Sequence, residues 1–483
     1  MINTTTSPSF LLTAPWILTG RGALAHGAVL VQEGIITKVL AQREWQSLDL
    51  TQLTLINEER CLVSPGLINM HTHLDYTAAG FLYESEPDKT PMFSWLRALV
   101  SHSRSWSKTD IEDSARLGAS LLASAGVSLA VDSSYTGEAA RALAGKGLRG
   151  IVGLELFGLS AEKSQFLFSL WQKRFEEWQQ ESILEKAQKD GRLLLTISPH
   201  APYTVSPALW RLALAWAKEK KLPILCHLAE SKNESQWLAG GDATIDDYLM
   251  YVMPGEEADK KQLLANLDFK KSASPVQHLS SNGLLDPSTL TVAAHCIHID
   301  LPNINDLDIL AENQVTLALC PRSNARLGNG HPPLGKIAQA AQKSSPARAP
   351  GLQWAPGLQW ALGTDSLASS PDLDPRREAA NLLALSGSAQ MLFSPAEMHS
   401  RITDKAACAL GLGHRLGELS AGKEADIAVF EVADAPLANS EEEAYRQFFA
   451  LKDNCFQARL KTLYVRGKII EQGRIIEDID NKI

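Results

Sequence analysis

The stretch of sequence that decides the fold reads Val63-Ser64-Pro65-Gly66-Leu67-Ile68-Asn69-Met70-His71-Thr72-His73-Leu74-Asp75. Its Pro-Gly pair favours a turn, and the apolar run that follows is typical of a short buried strand. The strand ends in His71-Thr72-His73, and side chains two residues apart on a strand point to the same side. The two imidazoles are therefore expected to lie side by side, as a divalent metal with nitrogen ligands requires.

The composition of the chain limits the class of protein. With 483 residues, of which 45% are hydrophobic, the chain can form one large or two modest domains with a sizeable core. Its net charge of −9, without a long basic run, argues against nucleic acid or an anionic membrane as a main partner. The six scattered cysteines and the polar N-terminus, which lacks a signal-peptide pattern, favour a reduced, cytoplasmic protein.

Eight apolar runs, each followed by a segment of helical character, organise the middle of the chain. This alternation predicts an α/β fold, a (β/α)8 TIM-type barrel over residues 65–412. A doubly wound sheet is the competing architecture, but no Gly-x-Gly-x-x-Gly follows an early strand. The predicted strands cover residues 67–73, 127–132, 150–156, 193–198, 224–227, 291–295, 315–320 and 360–364.

Both ends of the chain consist of short β-like runs separated by turns, such as 28–32 and 35–40 around Glu33-Gly34. We expect residues 1–64 and 413–483 to form one small β-sandwich domain, with two unrelated edge hairpins as the alternative. Within the barrel region, the sequence Ala349–Trp354 is repeated as Ala355–Trp360. One copy is expected to lead into the last strand and the other to form a surface insertion.

Further residues with metal-binding chemistry stand at the ends of other predicted strands. His227 ends the fifth strand, His295 ends the sixth, and Asp365 follows the eighth. The carboxyl ends of barrel strands meet at one face, so these groups are expected to converge with His71 and His73. Each group taken alone also suits a structural role, such as an Asp that caps the next helix.

The sequence resembles the amidohydrolase superfamily, in particular the branch of triazine-type chlorohydrolases, adenosine-analogue deaminases and guanine deaminases. Gly422–Ile427 also fits the β domain that flanks the barrel in this family. The motifs that carry the resemblance, in family order, are Pro65–His73, His227-Leu228-Ala229-Glu230, Ala294-His295-Cys296-Ile297-His298, Cys320-Pro321-Arg322-Ser323-Asn324 and Gly363-Thr364-Asp365-Ser366.

The resemblance implies a single divalent metal held by His71, His73, His227 and Asp365. Members of the family with two metals use a carboxylated lysine on the fourth strand, and the run 193–200 contains no lysine. Zinc is the default ion for three histidines and one carboxylate, and iron is the alternative.

The resemblance also implies roles in catalysis. Asp365 is expected to act as ligand and base, Glu230 as general acid and base, and His295 as a group that stabilises developing charge. Glu230 taken alone also suits a solvated loop. Four further residues, each also suited to a structural role, are expected to contact substrate: His200, Trp95, Arg322 and Asn324.

The implied reaction is hydrolytic removal of an exocyclic ring amine as ammonia. The expected small-molecule heterocyclic substrate is a purine nucleoside, with aminodeoxyfutalosine as first candidate and adenosine, methylthioadenosine and S-adenosylhomocysteine as rivals. Arg322 or Arg326 would meet a substrate carboxylate. The alternatives are a triazine-type chlorohydrolase or cyclic amide hydrolase and, in another class, a metal-free scaffold protein. The sequence is compatible with a homo-oligomer.

Overall fold

A computed structural model describes residues 9–85, 90–267, 272–299, 305–343, 357–385, 393–433 and 435–473. Its centre is an eight-stranded sheet in which each strand pairs in parallel with the next along the chain. The predicted TIM-type barrel is thereby confirmed. The barrel strands are Leu67–Thr72, Val127–Ser134, Arg149–Leu156, Leu193–Pro199, Ile224–Leu228, Thr291–His295, Thr316–Leu319 and Gln359–Leu362.

The second copy of the repeated sequence leads into the eighth strand at Gln359, as expected for one of the two copies. The first copy, residues 349–354, lies outside the described residues. The expected surface insertion therefore stays a prediction.

The first and eighth strands meet at the edge that carries candidate site residues. The backbone N–H groups of Thr364 and Asp365 donate to the carbonyl oxygen of His71 at 3.2 and 2.9 Å. The amide of Asn69 donates to Thr364 Oγ1 at 2.8 Å. Gly363 permits this approach, because a Cβ there would lie 2.6 Å from the backbone nitrogen of His71. Barrel closure therefore brings His71 and Asp365 together.

Helices cover the outside of the barrel and bury their apolar faces against it. In Ser164–Gln179, for example, Trp171 is buried and its Nε1 donates to the carbonyl of Leu154 at 3.1 Å. Ser206 caps Pro207–Lys220, with proline in the first turn, as its sequence pattern predicts.

The α-helices are Gln42–Trp45, Phe81–Ser85, Met92–Ser103, Lys108–Ser124, Glu138–Lys146, Ser164–Gln179, Ser182–Lys189, Pro207–Lys220, Lys232–Leu238, Ala243–Val252, Glu257–Ala265, Pro275–Ser281, Asp306–Glu312, Pro321–Arg326, Leu334–Lys343, Pro375–Leu385, Pro395–Ser400, Asp404–Ala409 and Glu441–Phe449. A 3-10 helix covers Leu74–Gly80. Among the described residues, no helix combines the length and the apolar character needed to span a membrane.

Strands from both ends of the chain form a second, eight-stranded sheet. Cys61–Pro65 lies inside it, parallel to Phe10–Leu18 and antiparallel to Ile427–Val432. The expected hairpin turns at Glu33-Gly34, where φ is 51° and 79°. The strands are Phe10–Leu18, Ala23–Gln32, Ile35–Leu40, Thr54–Asn57, Cys61–Pro65, Ile427–Val432, Ala458–Val465 and Lys468–Gln472, and a separate pair is Leu451–Lys452 with Cys455–Phe456.

The terminal sheet fits the expected small domain built from both ends of the chain. The boundaries of that domain, residues 1–64 and 413–483, stay a prediction.

Arg149 joins the barrel to the terminal sheet. It stands at the start of the third barrel strand, and 2% of its side chain is exposed. Its Nε and Nη2 donate to the two oxygens of Asp426 at 2.6 and 3.0 Å, and Nη2 also donates to Glu424 at 2.7 Å. Removal of one partner from such a buried pair leaves an uncompensated charge.

Replacement of Arg149 by alanine is expected to lower the free energy of unfolding by about 3–5 kcal/mol, because Asp426 would stay buried without its cation. Urea unfolding followed by circular dichroism measures this change. Arg211→Ala, which removes an exposed guanidinium, is the control and should stay close to the parent protein. Equal stability of the two variants would contradict the structural role of Arg149.

Candidate metal and acid–base site

The predicted metal ligands converge at the carboxyl ends of the first, fifth and eighth barrel strands. The Nε2 atoms of His73 and His227 lie 3.0 Å apart. Asp365 Oδ1 lies 3.8 Å from Nε2 of both His71 and His73. The ring of His71 stands edge-on to those of His73 and His227, with centroids 4.7 and 5.0 Å apart. These four side chains therefore surround one point.

The hydrogen bonds of two of the imidazoles show what this point is suited to hold. His73 Nδ1 donates to the carbonyl of Ser133 at 2.7 Å, and His227 Nδ1 donates to that of His200 at 2.9 Å. Because a carbonyl only accepts, each neutral ring carries its proton on Nδ1 and a lone pair on Nε2. Two lone pairs at 3.0 Å repel unless a cation lies between them. Backbone carbonyls orient metal-binding histidines in this way.

His71 offers a third lone pair. Its Nε2 is buried and has no hydrogen-bond partner among the described residues. Burial, followed by the nearby His73, lowers the pKa of His71 well below its ordinary value. Burial and the neighbouring histidines likewise lower the pKa of His227. Neutral imidazoles with free lone pairs fit a divalent ion with nitrogen ligands.

Hydroxyl groups hold the carboxylate of Asp365 in place. The hydroxyls of Ser323 and Ser369 donate to Oδ2 at 2.6 and 2.9 Å, and the N–H of Ser366 donates to Oδ1 at 2.7 Å. Burial acts to raise the pKa of Asp365, but the surrounding imidazoles, first that of His295, lower it to about 2. The carboxylate is therefore ionised at neutral pH, as a metal ligand must be.

Glu230 and His295 lie together beside the metal ligands. His295 Nε2 is 3.6 Å from Glu230 Oε1, and the His295 ring stacks on that of His227. Burial, followed by the charge of Asp365, raises the pKa of Glu230 well above its ordinary value. Burial lowers the pKa of His295 to about 4. The pair therefore combines a carboxyl whose affinity for a proton is raised with an imidazole that is neutral at neutral pH.

The backbone adopts the left-handed region at the ends of three of these strands. The φ angles are 52° at Ala229, 72° at His295 and 65° at Asp365. Residues other than glycine adopt this region at a cost, and such residues cluster at functional sites. Here the turns stand beside Glu230 and at the candidate catalytic residues themselves.

Two of the four predicted substrate contacts lie against the cluster. The ring of His200 is 4.6 Å from that of His227, and its Nδ1 lies 2.9 Å from Thr204 Oγ1. Asn324 is buried near His295, and its Oδ1 has no hydrogen-bond partner among the described residues. Its Nδ2 donates to the carbonyl of Cys320 at 2.8 Å.

The other two predicted contacts are engaged with the protein itself. Trp95 is buried in Met92–Ser103, and its Nε1 donates at 3.1 Å to the carbonyl of Ala368, close in sequence to Asp365. Arg322 donates through Nε to Glu378 at 2.6 Å and through Nη1 and Nη2 to Asp372 at 2.8 Å each. Every nitrogen of its guanidinium is thus paired, which corresponds to the structural alternative for Arg322. Proposed substrate contacts therefore rest on His200 and Asn324.

Sequence reasoning missed the groups that orient the predicted residues. The carbonyls of Ser133 and His200 carry no sequence signal, because any residue supplies a carbonyl. Glu234, whose Oε2 accepts the N–H of Glu230 at 2.9 Å, lies in the helix Lys232–Leu238 and was not among the predicted residues. Of the residues that hold the carboxylate of Asp365, Ser323 and Ser366 stood within motifs that the sequence marked, and Ser369 did not.

The barrel thus carries three imidazoles and a carboxylate whose ligand atoms are suited to hold a metal ion. Residues 62–470 match the model described as the amidohydrolase family. The chain belongs to this family and is a hydrolase of carbon–nitrogen bonds.

Similar proteins carry related names. The chain is 30% identical over 414 residues to a 5-methylthioadenosine/S-adenosylhomocysteine deaminase of Syntrophobacter fumaroxidans, a match that covers 84% of this chain and 80% of that protein. The fold of the present chain is similar to that of a Xanthomonas campestris adenosine deaminase with bound zinc, with a TM-score of 0.70 and 20% identity. The match covers 96% of this chain and 92% of the deaminase. Helicobacter pylori aminofutalosine deaminase gives a TM-score of 0.71, 20% identity and coverage of 95% and 99%.

We expect one equivalent of a divalent transition metal per chain, with zinc as the first candidate, since four ligand atoms surround one point. His73→Ala and Asp365→Ala should each lose most of this metal in elemental analysis of protein prepared without chelator. His331→Ala, which removes an exposed imidazole, should keep it. Two equivalents in the parent protein, or full retention in Asp365→Ala, would contradict the expectation.

Proposed function

We propose that this protein removes the exocyclic amine of an adenine-type nucleoside by hydrolysis and releases ammonia. One observation carries the proposal: the four-ligand cluster lies against Glu230, a carboxyl suited to hold a proton, and His295, a neutral imidazole. Replacement of an amine on an aromatic ring needs a nucleophile together with proton delivery to the ring and to the leaving group. The names of the similar deaminases support the nucleoside class.

His71, His73, His227 and Asp365 would hold one divalent ion, zinc before iron. When bound, such an ion supplies an activated water at neutral pH. Asp365 would accept the first proton of the attacking water, and the hydroxyls of Ser323 and Ser369 hold its carboxylate in the orientation that this role needs.

Glu230 and His295 handle the remaining charge. Glu230 gives its proton to the ring nitrogen beside the reacting carbon and then relays a proton to the leaving amine. His295 hydrogen-bonds the oxygen that adds to the ring and stabilises the charge that develops there. The proton that Glu230 relays comes from the oxygen added to the ring, and the amine departs as ammonia. The proton held by Asp365 then returns to Glu230, so that both residues regain their starting state. His200 and Asn324 contact polar atoms of the substrate.

The arginines near the site bear on which nucleoside is bound. Aminodeoxyfutalosine, supported by the fold similarity to aminofutalosine deaminase, needs a cation for its carboxylate. Arg322 is fully paired within the protein. Arg326 donates to the backbone carbonyl of Tyr83 at 2.7 Å, and its guanidinium lies over the aromatic ring of Tyr83. Because both arginines are engaged within the protein, we rank substrates with an uncharged 5′ substituent first. The preferred candidates are therefore 5′-methylthioadenosine and adenosine, followed by aminodeoxyfutalosine and S-adenosylhomocysteine.

A panel of substrates tests the proposal through ammonia release and ultraviolet absorbance. It contains 5′-methylthioadenosine, adenosine, aminodeoxyfutalosine, S-adenosylhomocysteine, guanine and a chlorinated triazine. We expect kcat/KM for the best adenine nucleoside to exceed that for guanine and the triazine by at least about tenfold. A higher kcat/KM for the triazine or for guanine would overturn the proposal.

Glu230→Gln is expected to keep the fold and the metal while its kcat falls on the order of 10²–10⁴-fold, because the amide cannot deliver the proton. Steady-state kinetics on metal-loaded protein measure the loss. Glu84→Gln removes an exposed carboxylate and serves as the control. A kcat near that of the parent protein in metal-loaded Glu230→Gln would exclude this role.

A further inference from the structure

Glu155 is a buried carboxylate to which the mechanism gives no role. It lies at the carboxyl end of the third barrel strand, Arg149–Leu156, and 6% of it is exposed. Its Oε1 is buried and receives no hydrogen bond from any described residue. A buried acceptor without a donor is costly, so such a group in a folded protein calls for an explanation.

The position of Glu155 connects it to the candidate active site. One of its carboxylate oxygens, a ring nitrogen of His200 and a ring nitrogen of His227 all lie within 4.8 Å of one another. A second metal ion does not explain this group, because His227 already uses Nδ1 for a carbonyl and Nε2 for the first metal position. A bound substrate that carries hydroxyl groups can supply a donor at this position.

The site is more exposed on the side of Glu155. Phe157 packs on the ring of His200 with centroids 4.8 Å apart and is 36% exposed. Tyr135 packs on Phe157 and is 50% exposed. Across the barrel, Glu230 and His295 are buried. The reacting ring must lie against these two groups, so its substituent extends towards the third and fourth strands.

We infer that Glu155 recognises the sugar of the substrate by accepting hydrogen bonds from its vicinal hydroxyls. The inference rests on the function proposed above and adds a specificity residue to it. A carboxyl group presents two oxygens that can hydrogen-bond two adjacent hydroxyls, and it keeps acceptor capacity when one oxygen carries a proton. Burial, followed by the nearby carboxyl groups of Asp75 and Asp132, raises the pKa of Glu155 well above its ordinary value, so this side of the site disfavours an anionic ligand. Neutral hydroxyl donors fit it.

The test compares adenosine with 2′,3′-dideoxyadenosine in the parent protein and in Glu155→Gln and Glu155→Ala. In the parent protein, kcat/KM should favour adenosine by about 10- to 100-fold, the effect expected of two hydrogen bonds to a buried carboxyl group. Glu155→Ala should lose about that factor on adenosine and less than about threefold on the dideoxy compound. Glu155→Gln keeps the side-chain shape and should lie between them.

Binding and metal content provide readouts besides turnover. Calorimetry with the products inosine and 2′,3′-dideoxyinosine should show the same loss of preference in Glu155→Ala, with metal content unchanged. Glu162→Gln, an exposed carboxylate after the same strand, is the control and should behave as the parent protein.

The outcomes separate the two proposals. If the parent protein deaminates neither nucleoside nor any other adenine nucleoside of the panel, the proposed function fails, and the role of Glu155 fails with it. If it deaminates both nucleosides equally well, or if Glu155→Ala loses the same factor on both, only the role of Glu155 is overturned.

Discussion

Two imidazoles, those of His73 and His227, direct lone pairs at each other across 3.0 Å, and much of the barrel serves to hold them there. The first strand supplies His73 and the second supplies the carbonyl that fixes its proton. The fifth strand supplies His227 and the fourth supplies the carbonyl that does the same. Residues in or directly after four strands thus hold the two Nε2 atoms close together. The hydrogen bonds between the first and eighth strands place the carboxylate of Asp365 beside them. A cation at this point converts the repulsion into a stabilising interaction.

The positions of the strands and ligands could be predicted because each depends on local sequence or on topology. An apolar run such as 291–295, placed between segments of helical character, predicts a buried strand, and its last residue then lies at the carboxyl face of the barrel. His295 needs no more information than this to reach the site. The same reasoning placed His227 and Asp365, and the structure brings all of them to the rim where His71 and His73 stand.

The remaining residues depend on partners that are distant in sequence. Arg322 looked suited to a substrate, but it is paired by Asp372 and Glu378, which belong to a later part of the chain. Trp95 donates to a carbonyl in the segment after the eighth strand. Glu155 lay unnoticed within Leu154-Glu155-Leu156, where a strand pattern gives no reason to expect a carboxyl group without a donor. No local pattern encodes such pairings.

The terminal sheet sets the order in which this protein can be completed. Cys61–Pro65 pairs on one side with Phe10–Leu18 and on the other with Ile427–Val432, which follows the whole barrel in the chain. At synthesis rates of about 5–20 residues per second, Ile427–Val432 is synthesised on the order of tens of seconds after Cys61–Pro65. During this interval the nascent chain carries a hydrophobic strand with one unpaired edge, a template for association with other chains. The barrel can close before the sheet does, so the last step of folding depends on the end of translation.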